Sequence, residues 1–414
     1  MPSLSLSICV ITKNESRFIK TCLQSVCKIA SEIIVVDSGS TDETLEIAAS
    51  FNAKIFSIEW RNDYAYARNI AISQCSGNWI FFLDADEYLE NPASLIRILL
   101  RTRNKKTGGF LMERTDMYRH KDNGLVIHYP VGMVRLFRNH PLFKYFGAVH
   151  EQINTVITDA GFDIEILKGS VIIHQIYMSD DAFLESKQRR YLSLIEHELD
   201  KNVSDFWMLY QQAKTNWFLG EKEKAKAIFS AIASNDNCPL ILQCSGFCNK
   251  AVLLLEEGKF AKAIIEVNKS LKLNPKQSLG MMIKGNIFYQ MDQFKHSIQC
   301  YQKVKTSINK LKYNQIIPGD LYVKPEDIKY KIACCYLAMG KTVAAKFLIK
   351  KALQINSNHV LGLLLLAKIY AVKNKLDVAR ELTNKCLTLN PEWKQAEDFL
   401  QSLNMQTTDT GYVI

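Results

Sequence analysis

At 414 residues the chain exceeds one ordinary domain, and an apolar fraction of 48% excludes wholesale disorder. The net charge of +10 is unevenly placed: residues 1–200 hold 22 Lys/Arg against 25 Asp/Glu, whereas residues 201–414 hold 30 against 17. Two modules are expected, the second with a lysine-rich solvated surface; its bases are not interleaved with aromatics, so no nucleic-acid partner is expected.

In chain order, Leu4–Ile11 reads as a strand ending in the polar loop Thr12–Asn14. Glu15–Ile29 then carries Phe18, Ile19, Leu23, Val26 and Cys27 at amphipathic-helix spacing. Glu32–Val36 reads as a buried strand closed by Asp37, and Ser38–Thr41 as a turn and helix start with Asp42 and Glu43 in the first turn. Ala53–Ile58 is a third strand, Asp63–Gln74 a helix, and Asn78–Leu83 a fourth, fully buried strand. This alternation predicts an α/β unit with a mostly parallel sheet, whose ligands bind beyond the carboxyl ends of the strands. The rule singles out Thr12–Glu15, Asp37–Asp42 and Asp84–Glu87. After Pro92, Gly108–Met117, Leu125–His128 and Met133–Arg138 read as short, more polar strands on an acceptor side. Ser179–Lys201 reads as a long charged helix leading to the second module.

The second half repeats with a period of 34: Ala333, Tyr336, Gly340, Ala345 and Ala352 recur as Ala367, Tyr370, Asn374, Ala379 and Cys386. The phrase LxLNP stands at Leu271–Pro275 and again at Leu387–Pro391. A helix-turn-helix repeat of this length with small residues at these places resembles the tetratricopeptide repeat. About five units fit between Asp205 and Leu403, with an insertion near Ser307–Pro325. The expected division is 1–200 for the α/β module, 201–404 for the repeats and 405–414 for a tail. The most apolar run, Val360–Val372, is interrupted by Lys368 and too short to span a membrane. The first residues carry no basic segment and no cleavage site, and the eleven scattered cysteines, the Cys244-x-x-x-Cys248 pair included, read as reduced core thiols. A cytoplasmic chain is expected.

Three places bear chemistry. Asp84-Ala85-Asp86 follows the apolar strand, where two carboxylates at i and i+2 can share a hard divalent cation that neutralises a diphosphate. Asp37, with Ser38 and Gly39 behind it, either accepts hydrogen bonds from a base or ribose or caps the next helix. Arg68, in a helix, is either a surface guanidinium or a fork aimed at phosphate.

Together these residues carry a resemblance. TKNE at Thr12–Glu15, VVDSGSTDET at Val35–Thr44, ARN at Ala67–Asn69 and FLDADE at Phe82–Glu87 are similar, in order and spacing, to family 2 glycosyltransferases of the GT-A fold. RLFR at Arg135–Arg138, GAVHE at Gly147–Glu151 and His174-x-x-Tyr177 resemble the lipopolysaccharide-core glucosyltransferase branch. The resemblance covers roughly residues 4–200. It implies a GT-A nucleotide-sugar-binding domain followed by an all-α tetratricopeptide-like solenoid. In that family Thr12, Asn14, Glu15, Asp37, Ser38 and Gly39 would lie near the uridine, Arg68 near the diphosphate, and Asp84, Ala85 and Asp86 at the sugar-nucleotide site. Mg2+ or Mn2+ would be held by Asp86 and His174, although His174 equally suits a packed, hydrogen-bonded ring. Catalysis would invert the anomeric centre, with Glu151 of the His150-Glu151 pair as base and Glu87, Glu113 and Asp116 as competitors.

The repeats depart from the core-glucosyltransferase pattern and resemble instead the S- or O-glycosyltransferases of bacteriocin clusters, the sublancin type. The reading is therefore hexose transfer from a UDP-sugar to a peptide or protein acceptor, through a Ser/Thr hydroxyl or a Cys thiol, with the repeats holding the acceptor or making a homodimer. Two alternatives stay open: transfer to a lipopolysaccharide or other envelope glycan, and a repeat-based interaction protein with an inactive transferase domain.

Overall fold

The computed structural model describes residues 4–102, 104–120, 123–175, 180–304 and 323–408. They form two compact units: 4–117 with 128–242, and 118–127 with the residues after 242.

The first unit opens as expected: β1 (Leu6–Thr12), α1 (Ile19–Val26), β2 (Glu32–Asp37), α2 (Thr44–Ser50), β3 (Lys54–Ser57), α3 (Tyr64–Ser73) and β4 (Trp79–Asp84). β5 (Glu87–Glu90), α4 (Pro92–Arg101), β6 (Thr107–Arg119), β7 (Val126–Arg138), α5 (Asn154–Asp159) and β8 (Asp163–His174) follow. An eight-stranded sheet results, in the order β3-β2-β1-β4-β7-β6-β8-β5. Its first four strands are parallel, β7 turns antiparallel against β4, and β5 runs antiparallel to β8. Ile8, Val10, Leu23, Phe81, Leu83 and Leu136 are fully buried around the central strands. That is why the runs SICV and IFFL carry no alternation: both faces of these strands are covered.

Leu125–His128 and Met133–Arg138, read as separate strands, fall, all but Leu125, in the single strand β7. Its pairing with β4 covers only Leu136–Arg138, so Pro130 lies where the strand has no β4 partner and a missing N–H is tolerated. The short β5 escapes a sequence reading because four residues directly after a turn give no usable period.

The helix α6 (Asp181–Lys201) begins on Asp180, whose carboxylate caps Phe183 N. It does not end the unit. α7 (Phe206–Phe218) and α8 (Lys222–Ala233) continue it, with Val149, Leu194, Ile195, Leu199 and Met208 in one buried cluster. The compact unit therefore runs past the expected boundary at residue 200 to Leu242.

From α9 (Leu240–Glu256) onward the chain alternates helices in antiparallel pairs: α10 (Phe260–Leu273), α11 (Ser278–Gln290), α12 (Phe294–Lys303), α13 (Pro325–Ala338), α14 (Thr342–Ile355), α15 (Val360–Val372), α16 (Leu376–Leu389) and α17 (Lys394–Thr408). Ala251, Ala263, Ala333, Ala345, Ala367 and Ala379, small residues of the repeat, are fully buried where paired helices approach. At Gly285 even a Cβ would collide with the Tyr301 ring. Cys244 and Cys248 lie in the interior, with Cys248 Sγ 3.3 Å from Ser270 Oγ. Helix α17 runs through Met405, so the expected tail begins as helix; 409–414 and most of the expected insertion lie outside the described residues.

The second unit also holds residues 118–127, the tip of the β6–β7 hairpin. Leu125 and Ile127 pack with Leu363, Leu364, Cys386 and Trp393, Val126 N donates to Asn390 Oδ1 at 2.8 Å, and Arg119 pairs with Glu392.

Candidate active site

The carboxyl ends of the first unit's central strands come level, Thr12 in register with Asp37 and Ile11 with Asp84. Loops leaving this edge tie one another down. Asp37, 2% exposed, accepts from Gly39 N (2.9 Å), Ser40 N (3.0 Å) and Ser40 Oγ (2.5 Å). Gly39 has φ +97, which the tight turn requires. Asn14 N donates to Ser40 Oγ, and Asn14 Oδ1 accepts from Thr41 N at 2.7 Å. Ser38 Oγ donates to Thr12 O, and Glu15 N to Thr44 Oγ1. The carboxylate of Asp37 is committed to its own turn, while Asp42 Oδ1 accepts from Thr44 N at the start of α2. Thr12 Oγ1 is buried with no hydrogen-bond partner.

Arg68 is no surface guanidinium: only 3% exposed, it donates from NH2 to Asp84 Oδ1 (2.7 Å) and from Nε to Glu151 Oε1 (2.5 Å). Arg135, equally buried on β7, takes the other side of Asp84 at 2.6 Å and reaches Glu87 Oε1 at 3.4 Å. Burial opposes ionisation of Asp84, but Arg135 and Arg68 outweigh it and hold the carboxyl well below its usual range. Glu87 is pushed up by burial despite Arg135.

Ala85 is buried between the two acids, and Asp86 faces a different set. Its Oδ2 lies 3.3 Å from His174 Nε2 and 3.2 Å from Lys187 Nζ, while His174 Nδ1 lies 2.9 Å from Asp116 Oδ1. Strand register brings them together, since His174 on β8 pairs with Glu87 on one side and Asp116 on the other. Burial lowers the His174 pKa, but Asp86 and Asp116 raise it to about 9. Glu15 rises to about 7, from burial first and then the charge of Asp86.

The expected metal ligands Asp86 and His174 thus meet, and Asp116 on Nδ1 orients the ring as carboxylates orient metal-bound imidazoles. Among the described residues no group of three or more His, Cys, Asp or Glu side chains is arranged to hold an ion unaided. Two donors fit a hard cation whose other positions are filled by phosphate oxygens and water.

The expected catalytic pair divides. Glu151 is drawn to Arg68, and through it to Asp84. His150 has φ +50 and a buried Nε2 with no hydrogen-bond partner; its ring centroid lies 5.8 Å from that of Tyr191. Burial, with Lys214 and Arg114, pushes it down to about 3. Among the competitors, Glu87 faces Arg135 and Arg114, and Asp116 faces Arg114 and His174. Tyr177 lies outside the described residues. Sequence reasoning named Arg135 only as the start of the RLFR motif, without a role, and passed over Arg114 and Lys187. Arg135 carried a signal, a lone charge inside the apolar run VRLF, which demands a buried partner. Lys187, on a charged helix, carried none.

Residues 7–140 match the model of glycosyl transferase family 2, and residues 245–277 and 326–359 match a tetratricopeptide repeat model. The chain carries a family 2 glycosyl transferase domain followed by tetratricopeptide repeats. The glycosyltransferase SunS of Bacillus subtilis (strain 168) is 31% identical over 195 residues, 46% of this chain and 44% of that protein. A TPR repeat-containing protein of Synechococcus elongatus is 32% identical over 149 residues, 36% of this chain and 35% of that protein. An uncharacterized glycosyltransferase of Rickettsia bellii is 44% identical over 84 residues, 20% of this chain and 28% of that protein. The chain thus spans less than half the length of each of these curated relatives. No described helix is long and apolar enough to cross a membrane.

Proposed function

We propose that the chain is an inverting glycosyltransferase moving a hexose from a UDP-sugar to a peptide or protein acceptor in the cytoplasm, with Mg2+ or Mn2+ as cofactor. The observation that carries this is the split of the DAD acids at the sheet edge: Asp84 locked between Arg68 and Arg135, Asp86 turned to His174. A buried carboxylate meeting an imidazole beside tied nucleotide-side loops is a half-site for a cation that arrives with a diphosphate. When bound, that cation neutralises the charge developing on the leaving diphosphate. Asp86 and His174 would hold it, Asp116 would keep the His174 ring oriented, and the Asp37 turn would present the loop that meets the nucleoside. Arg68 holds Glu151 by Oε1, leaving Oε2 to take the proton of an acceptor hydroxyl.

The peptide acceptor rests on the resemblance to SunS over 195 residues and on the repeats, whose stacked helices suit an extended chain. The test needs no acceptor. UDP-sugar hydrolysis with Mn2+ or Mg2+ by the full chain, lost in Asp86→Ala, is the expected result. Hydrolysis unaffected by Asp86→Ala or by chelation would overturn the reading. A peptide array against an envelope-glycan panel then identifies the acceptor.

A further inference from the structure

Lys187 has no part in the reaction as set out above, yet it reaches from α6 onto Asp86 Oδ2, the oxygen that also meets His174 Nε2. The Asp86 side chain is 6% exposed and that of Lys187 17%. An ionised carboxylate so deep in the protein needs compensating charge, and without a metal ion the ammonium at 3.2 Å supplies part of it. The two partners of Asp86 are mounted differently. His174 is fixed on β8 and braced by Asp116, whereas Lys187 hangs from a helix on a flexible four-carbon stem.

A divalent cation on Asp86 would approach within roughly 2.1 Å of the oxygen, too close to an ammonium already bound there for both to stay. We propose that Lys187 is a resident counter-ion that competes with the metal for Asp86 and is released to the donor's diphosphate when the two enter together. Metal alone must evict Lys187 without offering it another anion. Metal with a nucleoside diphosphate offers one. Lys187 thereby makes binding of either ligand favour the other, and by linkage the coupling is reciprocal. The inference rests on the proposed function, because it takes Asp86 as the cation's ligand.

The experiment measures Mn2+ affinity by electron paramagnetic resonance, with and without UDP, on the full chain. Lys187→Met is expected to bind Mn2+ alone about tenfold more tightly than the parent, since a competing charge is gone, while the gain on adding UDP shrinks. Lys187→Arg, which keeps a cation, is expected to stay near the parent. A purely structural lysine would weaken both measurements together. If Asp86→Asn loses Mn2+ but Lys187→Met binds Mn2+ alone no more tightly, the counter-ion role is overturned and the proposed function stands. If Asp86→Asn binds Mn2+ as the parent does, the proposed metal site itself is overturned. Lys187→Gln, closer in polarity, carries the same comparison should the Met variant fail to fold.

Discussion

One alanine separates Asp84 from Asp86, yet the two side chains answer to different neighbours, so replacing them should read out differently. Removing the Asp84 carboxylate leaves Arg68 and Arg135 buried beside each other, and stranded buried charge is among the costliest defects a point change makes. Asp84→Ala is expected to lose about 3 kcal/mol in urea unfolding, whereas Asp86→Asn, whose lysine partner can swing to water, should lose no more than about 1 kcal/mol. Glu15 gives a pH signature. Its carboxyl rises from an ordinary 4.5 to about 7 through burial and then Asp86, so the folded chain holds this proton more tightly than the unfolded one. Its contribution is fully present below the unfolded pKa and drains away as pH climbs through the folded value. Glu15→Gln should therefore gain about 1–3 kcal/mol over the parent at pH 8 and nothing at pH 4, measured by denaturation at both. For the proton acceptor, Glu151→Gln is expected to lower transfer to a hydroxyl by about 10²–10⁴-fold while leaving UDP affinity nearly unchanged. Glu113→Gln abolishing transfer while Glu151→Gln stays active would move the base to β6.

Elements were legible where a period had room to express itself. β1, β2 and β4 are apolar along their middles because both faces are covered there, and α3 follows Asp63, whose carboxylate caps it, where the expected helix starts. The repeats were legible from their small residues, and Gly285 shows why those residues are small. Gly285→Ala puts a methyl into the Tyr301 ring, so a loss of about 1–3 kcal/mol is expected in thermal or urea unfolding. Less of the site could be read. Positions beyond the strand ends follow from topology, which is how Thr12, Asp37 and Asp84 were found. The pairings of Arg68 with Glu151 and of His174 with Asp116 depend on the register of β6, β7 and β8. Polar, half-exposed strands specify register weakly in their sequence. Lys187 was hidden for a related reason, since one lysine on a charged helix looks like any other.

For the whole molecule, the joining helix decides what can be cut away. A chain ending at Lys201 would bare Val149, Leu194, Ile195 and Leu199 on the face that meets Met208, and Trp207 would no longer donate to His150 O. One ending at Leu242 keeps that cluster closed. The shorter piece is expected to aggregate, and the longer one to retain metal-dependent UDP binding, checked by sedimentation and calorimetry. A soluble, UDP-binding piece ending at Lys201 would show that α7 and α8 add nothing to the first unit.

The ten residues at the hairpin tip impose a different kind of constraint. Leu125, Ile127 and Val126 are read early in the chain but find their partners on α15, α16 and the turn at Asn390, more than two hundred positions later. A foreign repeat array spliced on after residue 242 would meet a tip shaped for other side chains, with Gly124 fitted against Glu392 and no space for a Cβ. Exchange of repeat arrays between chains of this architecture by simple recombination is therefore expected to fail at this loop unless the tip travels with the array. Chimeras that carry both segments should express and fold where single-crossover ones do not, so a repeat array in this architecture is inherited as a matched pair of sequence stretches.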